Sequence, residues 1–220
     1  MACKTPFLNA APLDERGLCG LCRHGLAGFD AAFSYGSYEG ELRGLIHLFK
    51  YGRVQTLARP LGRMMVRALP REQAFDVIVP VPLHWRKRWQ RGFNQSALLA
   101  REVSRRSGVP VKSLMRRKRA TNVQAGLSAA KRRDNVSGVF RAKPAVRGKR
   151  VLLIDDVMTT GATAAACARA LKRAGAARVL FLSVARVDRR IEAAARIGGP
   201  LSRASVPSES FEDAHSGSIA

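Results

Sequence analysis

Residues 151–163, VLLIDDVMTTGAT, constrain the fold of this chain more than any other segment. The first four residues are apolar, which favours a strand of a parallel sheet covered on both faces. Two adjacent carboxylates, Asp155 and Asp156, follow them. An alanine-rich helix ending near Gly175 and an apolar strand over residues 178–186 come next, so a strand–helix–strand unit is predicted. The loop that opens this helix consists of Thr159, Thr160, Gly161, Ala162 and Thr163.

The carboxylates and the loop suit different parts of one ligand. A helix N-terminus attracts phosphate through its free amides and its dipole, and Gly161 allows close backbone approach. Asp155 and Asp156 suit vicinal hydroxyls or a nearby Mg²⁺ ion. Neither GK[ST] nor GxGxxG is present, which argues against a P-loop and a dinucleotide site. A phosphorylated ribose fits this pattern better than the alternative of an ordinary strand followed by a threonine-capped helix.

The region before this unit contains a second predicted strand and a basic loop. Residues 75–81, FDVIVPV, are apolar and end at a proline. The loop LHWRKRWQRGFNQ follows over residues 83–95, and Asn94 is placed to cap a helix that continues to Arg106. Further on, residues 123–140 are polar and basic with little periodicity.

Three segments in this order, VPVPLHWRKRWQRGFNQ, QAGLSAAKRRDNVSGVF and LLIDDVMTTGAT, resemble the ComF family of competence-associated, type I phosphoribosyltransferase-like proteins. The resemblance implies an α/β fold with a central, mostly parallel sheet flanked by helices, and a small N-terminal zinc-ribbon-like segment. It also implies that Asp155 and Asp156 are the catalytic carboxylates that engage the ribose hydroxyls of phosphoribosyl pyrophosphate (PRPP). Residues 159–163 would then surround the 5′-phosphate, with Mg²⁺ accompanying the donor.

The same resemblance assigns the basic segments. Pyrophosphate contacts fall on residues 82–91, especially Arg86 and Arg91, and residues 116–133 are predicted to form a mobile loop that covers the site. Cations there would stabilise the departing pyrophosphate, while a closing loop excludes water. The alternative for residues 86–88 is a solvated charge run.

The resemblance and the composition predict three units: a zinc-ribbon-like segment over residues 1–28, a phosphoribosyltransferase-like domain over 29–190, and a disordered tail over 191–220. Cys3 and the CxxC pair Cys19 and Cys22 are the candidate Zn²⁺ ligands. The family commonly begins with two CxxC pairs, and here one thiolate is missing. Three alternatives stay open: a start further upstream, loss of the site, or completion by His24.

The net charge of +23, from 39 Lys and Arg against 16 Asp and Glu, exceeds what PRPP alone requires. Such an excess favours contact with a polyanion, and the resemblance points to single-stranded DNA and to competence helicase-type proteins as partners. Trp85, Trp89 and Phe93 are candidate stacking faces. Uniform arginine bias of a GC-rich genome is the competing explanation. The densest basic runs are residues 116–119 and 131–133.

The remaining segments predict ordinary elements. Apolar spacing predicts helices over residues 39–50 and 57–68, and Cys167 is expected to pack in the core. Lys50, Tyr51 and Arg53 could reach a ligand or cap the first of these helices. No signal peptide or membrane insertion is expected, and sparse CxxC cysteines indicate a reducing, cytoplasmic environment.

Two functions remain open at this point. The first is a Mg²⁺-dependent phosphoribosyltransferase that transfers ribose-5-phosphate to an unidentified acceptor. The second is a non-catalytic, PRPP-responsive module that binds single-stranded DNA.

Overall fold

Four parallel strands form the centre of the structure, a computed structural model that describes residues 28–83, 89, 92–117 and 139–187. The strands that form it are β1 (Ala31–Ser37), β2 (Val77–Pro80), β5 (Arg150–Met158) and β6 (Arg178–Arg186). The order across the sheet is β1, β6, β5, β2, and every neighbouring pair is parallel.

The apolar runs of β5 and β6 are buried because both faces of the sheet are covered. Val151 and Leu153 of β5 belong to one apolar core, whereas Leu152 and Ile154 belong to the other. All four side chains are fully buried. This alternation is the side-chain period of a strand between two layers, and it confirms the prediction of a covered parallel sheet.

Three helices cover one face of the sheet. They are α1 (Gly40–Lys50), α2 (Ala58–Ala68), which a 3₁₀ turn at Gln55–Leu57 precedes, and α3 (Gln95–Ser107). The predicted cap of α3 is confirmed: the Asn94 side chain accepts a hydrogen bond from the Ser96 amide at 3.1 Å. Its Nδ2 also donates to the carbonyl of Val81 at 3.1 Å, which ties the start of α3 to the end of β2.

The other face is covered by α4 (Ala162–Arg173) and by a two-stranded antiparallel ribbon of β3 (Met115–Arg117) and β4 (Phe140–Ala142). The buried alanines of α4 and Cys167 pack in this core, as predicted. Gly28 lies so close to α4 that a Cβ atom there would be 2.9 Å from the Ala165 carbonyl oxygen. The glycine at position 28 therefore allows the chain to pack closely against α4.

The ribbon corrects one prediction from the sequence. Residues 116–133 were expected to form a loop, but Arg116 and Arg117 belong to β3, where Arg116 pairs with Arg141 and Arg117 with Phe140. The polar segment was also expected to include Phe140, which instead begins β4 and is buried. Residues 118–138 lie outside the described part of the chain, so the covering loop itself stays a prediction.

The described residues fall within the first of two units of the chain, Met1–Asp188, and the second is Arg189–Ala220. The predicted zinc-ribbon-like segment, except for Gly28, and the predicted tail from residue 191 lie outside the described residues. Among the helices described, none is long and apolar enough to cross a membrane.

Candidate functional site

The carboxyl edge of the sheet brings together four polar side chains from separate elements. Asp155 and Asp156 lie near the end of β5, Ser96 lies in the first turn of α3, and Lys50 is the last residue of α1. The carboxyl ends of parallel strands share one edge of a sheet, and ligands of open α/β sheets bind outside that edge. This edge is therefore the candidate site.

Asp155 is held by two hydrogen bonds to the same carboxylate oxygen. The Ser96 hydroxyl donates to Asp155 Oδ1 at 2.8 Å, and the Asp156 amide donates to it at 2.9 Å. Burial raises the pKa of Asp155 to about 7, and the adjacent charge of Asp156 adds to the effect. These hydrogen bonds and Lys50 oppose the increase in pKa but do not cancel it. At neutral pH this carboxyl group therefore lies close to its titration point.

Asp156 is buried and paired with a lysine from the other side of the site. Lys50 Nζ lies 3.0 Å from Asp156 Oδ1, and the two side chains are 14% and 12% exposed. Lys50 Nζ also lies 6.0 Å from the centre of the Tyr38 ring. The sequence left the role of Lys50 open between contacting a ligand and capping a helix, and the structure places its ammonium group on the acidic pair.

The loop after β5 ends at a helix N-terminus that carries no side-chain cap. Gly161 is the N-cap residue of α4 and adopts a left-handed conformation with φ of 70°, which favours glycine. Thr160 Oγ1 accepts a hydrogen bond from the Ala162 amide at 3.2 Å. Thr159, Thr160 and Thr163 are exposed. Exposed hydroxyls beside the first-turn amides of a twelve-residue helix make a suitable phosphate site.

The described residues contain no group of three or more His, Cys, Asp or Glu side chains that could hold a metal ion. Two carboxylates are nevertheless enough for Mg²⁺, because this ion usually keeps several waters and takes further oxygens from substrate phosphates. Asp155 and Asp156 fit that donor chemistry. Cys3, Cys19 and Cys22 lie outside the described residues, so Zn²⁺ binding stays a prediction.

The predicted pyrophosphate-binding arginines and stacking aromatic residues have different outcomes in the structure. Arg86, Arg91 and Trp85 lie outside the described residues, so the pyrophosphate assignment stays a prediction. Trp89 is 90% exposed and keeps its ring available for stacking. Phe93 does not: it is buried, and its ring lies 5.7 Å from that of Phe49 in the core. The prediction that Phe93 is a stacking face was wrong.

The ion pair between Lys50 and Asp156 provides a direct test of this geometry. Lys50→Met removes the cation and leaves a nearly buried carboxylate without its partner, so we expect the free energy of unfolding to fall by about 1–3 kcal/mol. Urea unfolding measures it. Lys50→Met combined with Asp156→Asn should recover most of the loss, because the uncompensated charge is then absent. Independent, additive effects of the two substitutions would contradict the pairing.

Comparisons with known proteins agree in pointing to one family. A family model described as "Phosphoribosyl transferase domain" matches residues 94–198. The DNA utilization protein YhgH of Escherichia coli K12 is 38% identical over 168 residues, which cover 73% of this chain and 74% of that protein. Competence protein F of Haemophilus influenzae is 33% identical over 178 residues, covering 76% and 78%.

A solved structure overlaps the chain in part. Glutamine PRPP amidotransferase from B. subtilis, in complex with ADP and GMP, is 25% identical with a TM-score of 0.43. The overlap covers 58% of this chain and only 26% of the amidotransferase. So partial an overlap carries no conclusion, and the family assignment depends on the sequence matches.

Proposed function

Because this chain belongs to the ComF family of phosphoribosyl transferase-domain proteins, we propose that it binds PRPP at the carboxyl edge of its sheet. One observation carries the proposal: Asp155 and Asp156 lie near the end of the same strand from which the loop to the α4 N-terminus departs. The carboxylates suit the ribose hydroxyls, and the loop of residues 159–163 suits the 5′-phosphate. One ligand would then satisfy both parts of the site.

The proposed reaction is transfer of ribose-5-phosphate to an acceptor that the site does not identify. The bond between ribose C1 and pyrophosphate breaks, a new bond from C1 to the acceptor forms, and pyrophosphate leaves. Mg²⁺ bound with the donor, next to Asp155 and Asp156, would neutralise part of the pyrophosphate charge. The carboxylates of this chain would orient the ribose, and Arg86 and Arg91 are proposed to bind the leaving group.

We further propose a role in the uptake or use of DNA. The relatives are named for DNA utilization and for competence, and the charge of +23 suits a nucleic-acid partner. An exposed Trp89 ring offers a stacking surface of the kind that single-stranded nucleic acids use. The cytoplasm, where PRPP would be available, is the proposed location.

A non-catalytic, PRPP-responsive, DNA-binding module is the second candidate. The acidic pair and phosphate loop support PRPP binding equally well in this case. The specific observation in its favour is the net charge of +23, which exceeds what PRPP binding requires and suits a nucleic-acid partner. Under this proposal PRPP binding would regulate DNA binding, and no transfer of ribose-5-phosphate would follow it.

Pyrophosphate release separates the two candidates. The protein is mixed with PRPP, Mg²⁺ and each of a panel of purine and pyrimidine bases and amines, and pyrophosphate is measured with a coupled enzyme. Release that depends on one acceptor, and is lost with Asp155→Asn combined with Asp156→Asn, is the result expected of an enzyme. PRPP binding without release by any acceptor supports the module, and absence of PRPP binding overturns both.

A further inference from the structure

Helices α2 and α3 together carry a one-sided basic surface that the PRPP site does not use. The two helices contain six arginines and one glutamate. Five of the arginines are exposed. We call these five residues the α2–α3 arginine face: Arg59, Arg63, Arg67, Arg101 and Arg105.

The arginines of α2 are regularly spaced. Arg59, Arg63 and Arg67 follow one another at intervals of four residues, which puts them on one side of the helix about 6 Å apart. No acidic residue occurs in α2. Like charges at this spacing destabilise a helix, so the row is unfavourable in the absence of an anionic partner.

The single glutamate of the two helices neutralises only the α3 part of this face. Glu102 lies where α2 and α3 touch: a Cβ atom on Gly62 would be 2.5 Å from Glu102 Cβ. Its two carboxylate oxygens accept hydrogen bonds from Arg105 and Arg106, each at 2.8 Å. Its charge is therefore shared by two arginines of its own helix, Arg105 of the face and Arg106, and among the described residues it forms no ion pair with an arginine of α2.

The packing aligns the arginines of both helices. Leu61 and Met65 of α2 and Leu99 and Val103 of α3 are fully buried in the same core. The exposed arginines thus lie on the sides of these helices that face away from the sheet. Packed helix axes lie about 8–10 Å apart, so the two rows form one continuous surface.

From this arrangement we infer that the α2–α3 arginine face binds the phosphate backbone of single-stranded DNA. The inference rests on the proposed DNA role and adds the surface that performs it. Guanidinium groups are suited to phosphate, and rows of cations along a backbone bind without reading sequence. Trp89 precedes α3 in the chain and is 90% exposed. Its ring can stack on unpaired bases, which favours a single strand over a duplex as the ligand.

The test compares two triple variants with the same change in charge. In the first, Arg59, Arg63 and Arg67 are each replaced by Ser. The control replaces Arg141, Arg147 and Arg173, which line a cleft beside the C-terminal end of α4, on the other face of the sheet. Binding to fluorescein-labelled oligothymidylate is followed by anisotropy over a range of salt concentrations, and circular dichroism checks that each variant is folded.

We expect the α2 variant to bind roughly tenfold or more weakly at low salt, and its slope of log affinity against log salt to fall by about 2, while the control stays near the wild-type values. Equal losses in both variants would show a general charge effect and overturn the assignment. An unaffected α2 variant would overturn it too. Equal binding of a duplex through the same arginines would contradict the preference for a single strand.

Failure of the DNA role itself gives a different result. Wild-type protein that binds PRPP but no oligonucleotide would refute both the DNA role and this surface, and would leave the PRPP site standing. PRPP binding by the α2 variant should equal that of the wild type, because none of its three substitutions touches the carboxyl edge.

Discussion

Asp155→Asn combined with Asp156→Asn is expected to lower the affinity for PRPP by at least about 100-fold. A hydrogen bond to a charged acceptor contributes roughly 1.5–3 kcal/mol and one to a neutral acceptor roughly 0.5–1.5 kcal/mol, so weakening two bonds to ribose hydroxyls costs about 2–3 kcal/mol, to which the lost attraction for Mg²⁺ adds. The amide keeps the shape of each side chain but loses the charge. Isothermal titration calorimetry with PRPP and Mg²⁺ measures the affinity.

Asp76→Asn is the matched control for this double variant. Asp76 lies at the other end of the sheet, where it accepts hydrogen bonds from the Arg150 side chain and amide. Arg150 keeps the pKa of Asp76 at about 2, so the control also removes a charge that is present at neutral pH. Its PRPP affinity should match the wild type. Unchanged affinity in the Asp155 and Asp156 double variant would refute the assignment of the ribose site to the acidic pair.

The strand and phosphate loop of residues 151–163 could be predicted from sequence because their signals are local. Four apolar residues, two carboxylates and a glycine–threonine turn lie next to one another, and each is interpretable without knowing its neighbours in space. The Asn94 cap has the same property, since its partner is the amide of Ser96, two residues on. Local chemistry therefore gave the order of strand, loop and helix and the start of α3 correctly, but β5 extends past the carboxylates to Met158 and α4 begins at Ala162, one residue earlier than the predicted Thr163.

Contacts between distant parts of the chain could not be predicted in this way. Strand β1, with the sequence AAFSYGS, has weak apolar alternation, and it is fixed by its partner β6. A hydrogen bond of 2.7 Å between the hydroxyls of Ser34 and Ser183 joins the two strands in the core. The sequence showed neither this pairing nor the approach of Lys50 to Asp156, because both depend on where separate elements dock.

The short ribbon was missed for a related reason. Strands β3 and β4 have three residues each and include three arginines between them, so neither shows an apolar period. The pairing of β3 with β4 is seen only in the structure. There the Arg117 guanidinium lies 5.5 Å from the centre of the Phe140 ring. Such short strands are defined by their partners and not by their own composition.

The position of Asp155 leads to an expectation about stability. Its pKa is about 7 in the folded protein against an ordinary value of 3.8, with burial as the main cause. The folded state therefore holds this proton more tightly than the unfolded state does. By linkage, the contribution of Asp155 to the free energy of unfolding falls as the pH rises from about 4 to about 7. Above that range the carboxyl group is charged in both states, and the full cost of burying its charge lowers the stability.

Asp155→Asn alone should accordingly stabilise the protein at alkaline pH. The amide oxygen can still accept from the Ser96 hydroxyl and the Asp156 amide, while the buried charge is gone. We expect the free energy of unfolding to rise by on the order of 2–4 kcal/mol at about pH 8, and by much less at about pH 4. Urea unfolding at both pH values, with a chelator to exclude divalent metals, measures the difference.

The control for this effect is Ser96→Ala, which removes a hydrogen bond that favours the charged form. It should destabilise the protein at about pH 8, opposite in sign to Asp155→Asn. A stability gain for Asp155→Asn that does not depend on pH would contradict the raised pKa. A residue whose replacement stabilises the fold and weakens ligand binding is retained at a cost in stability, which is the behaviour expected of a binding carboxylate.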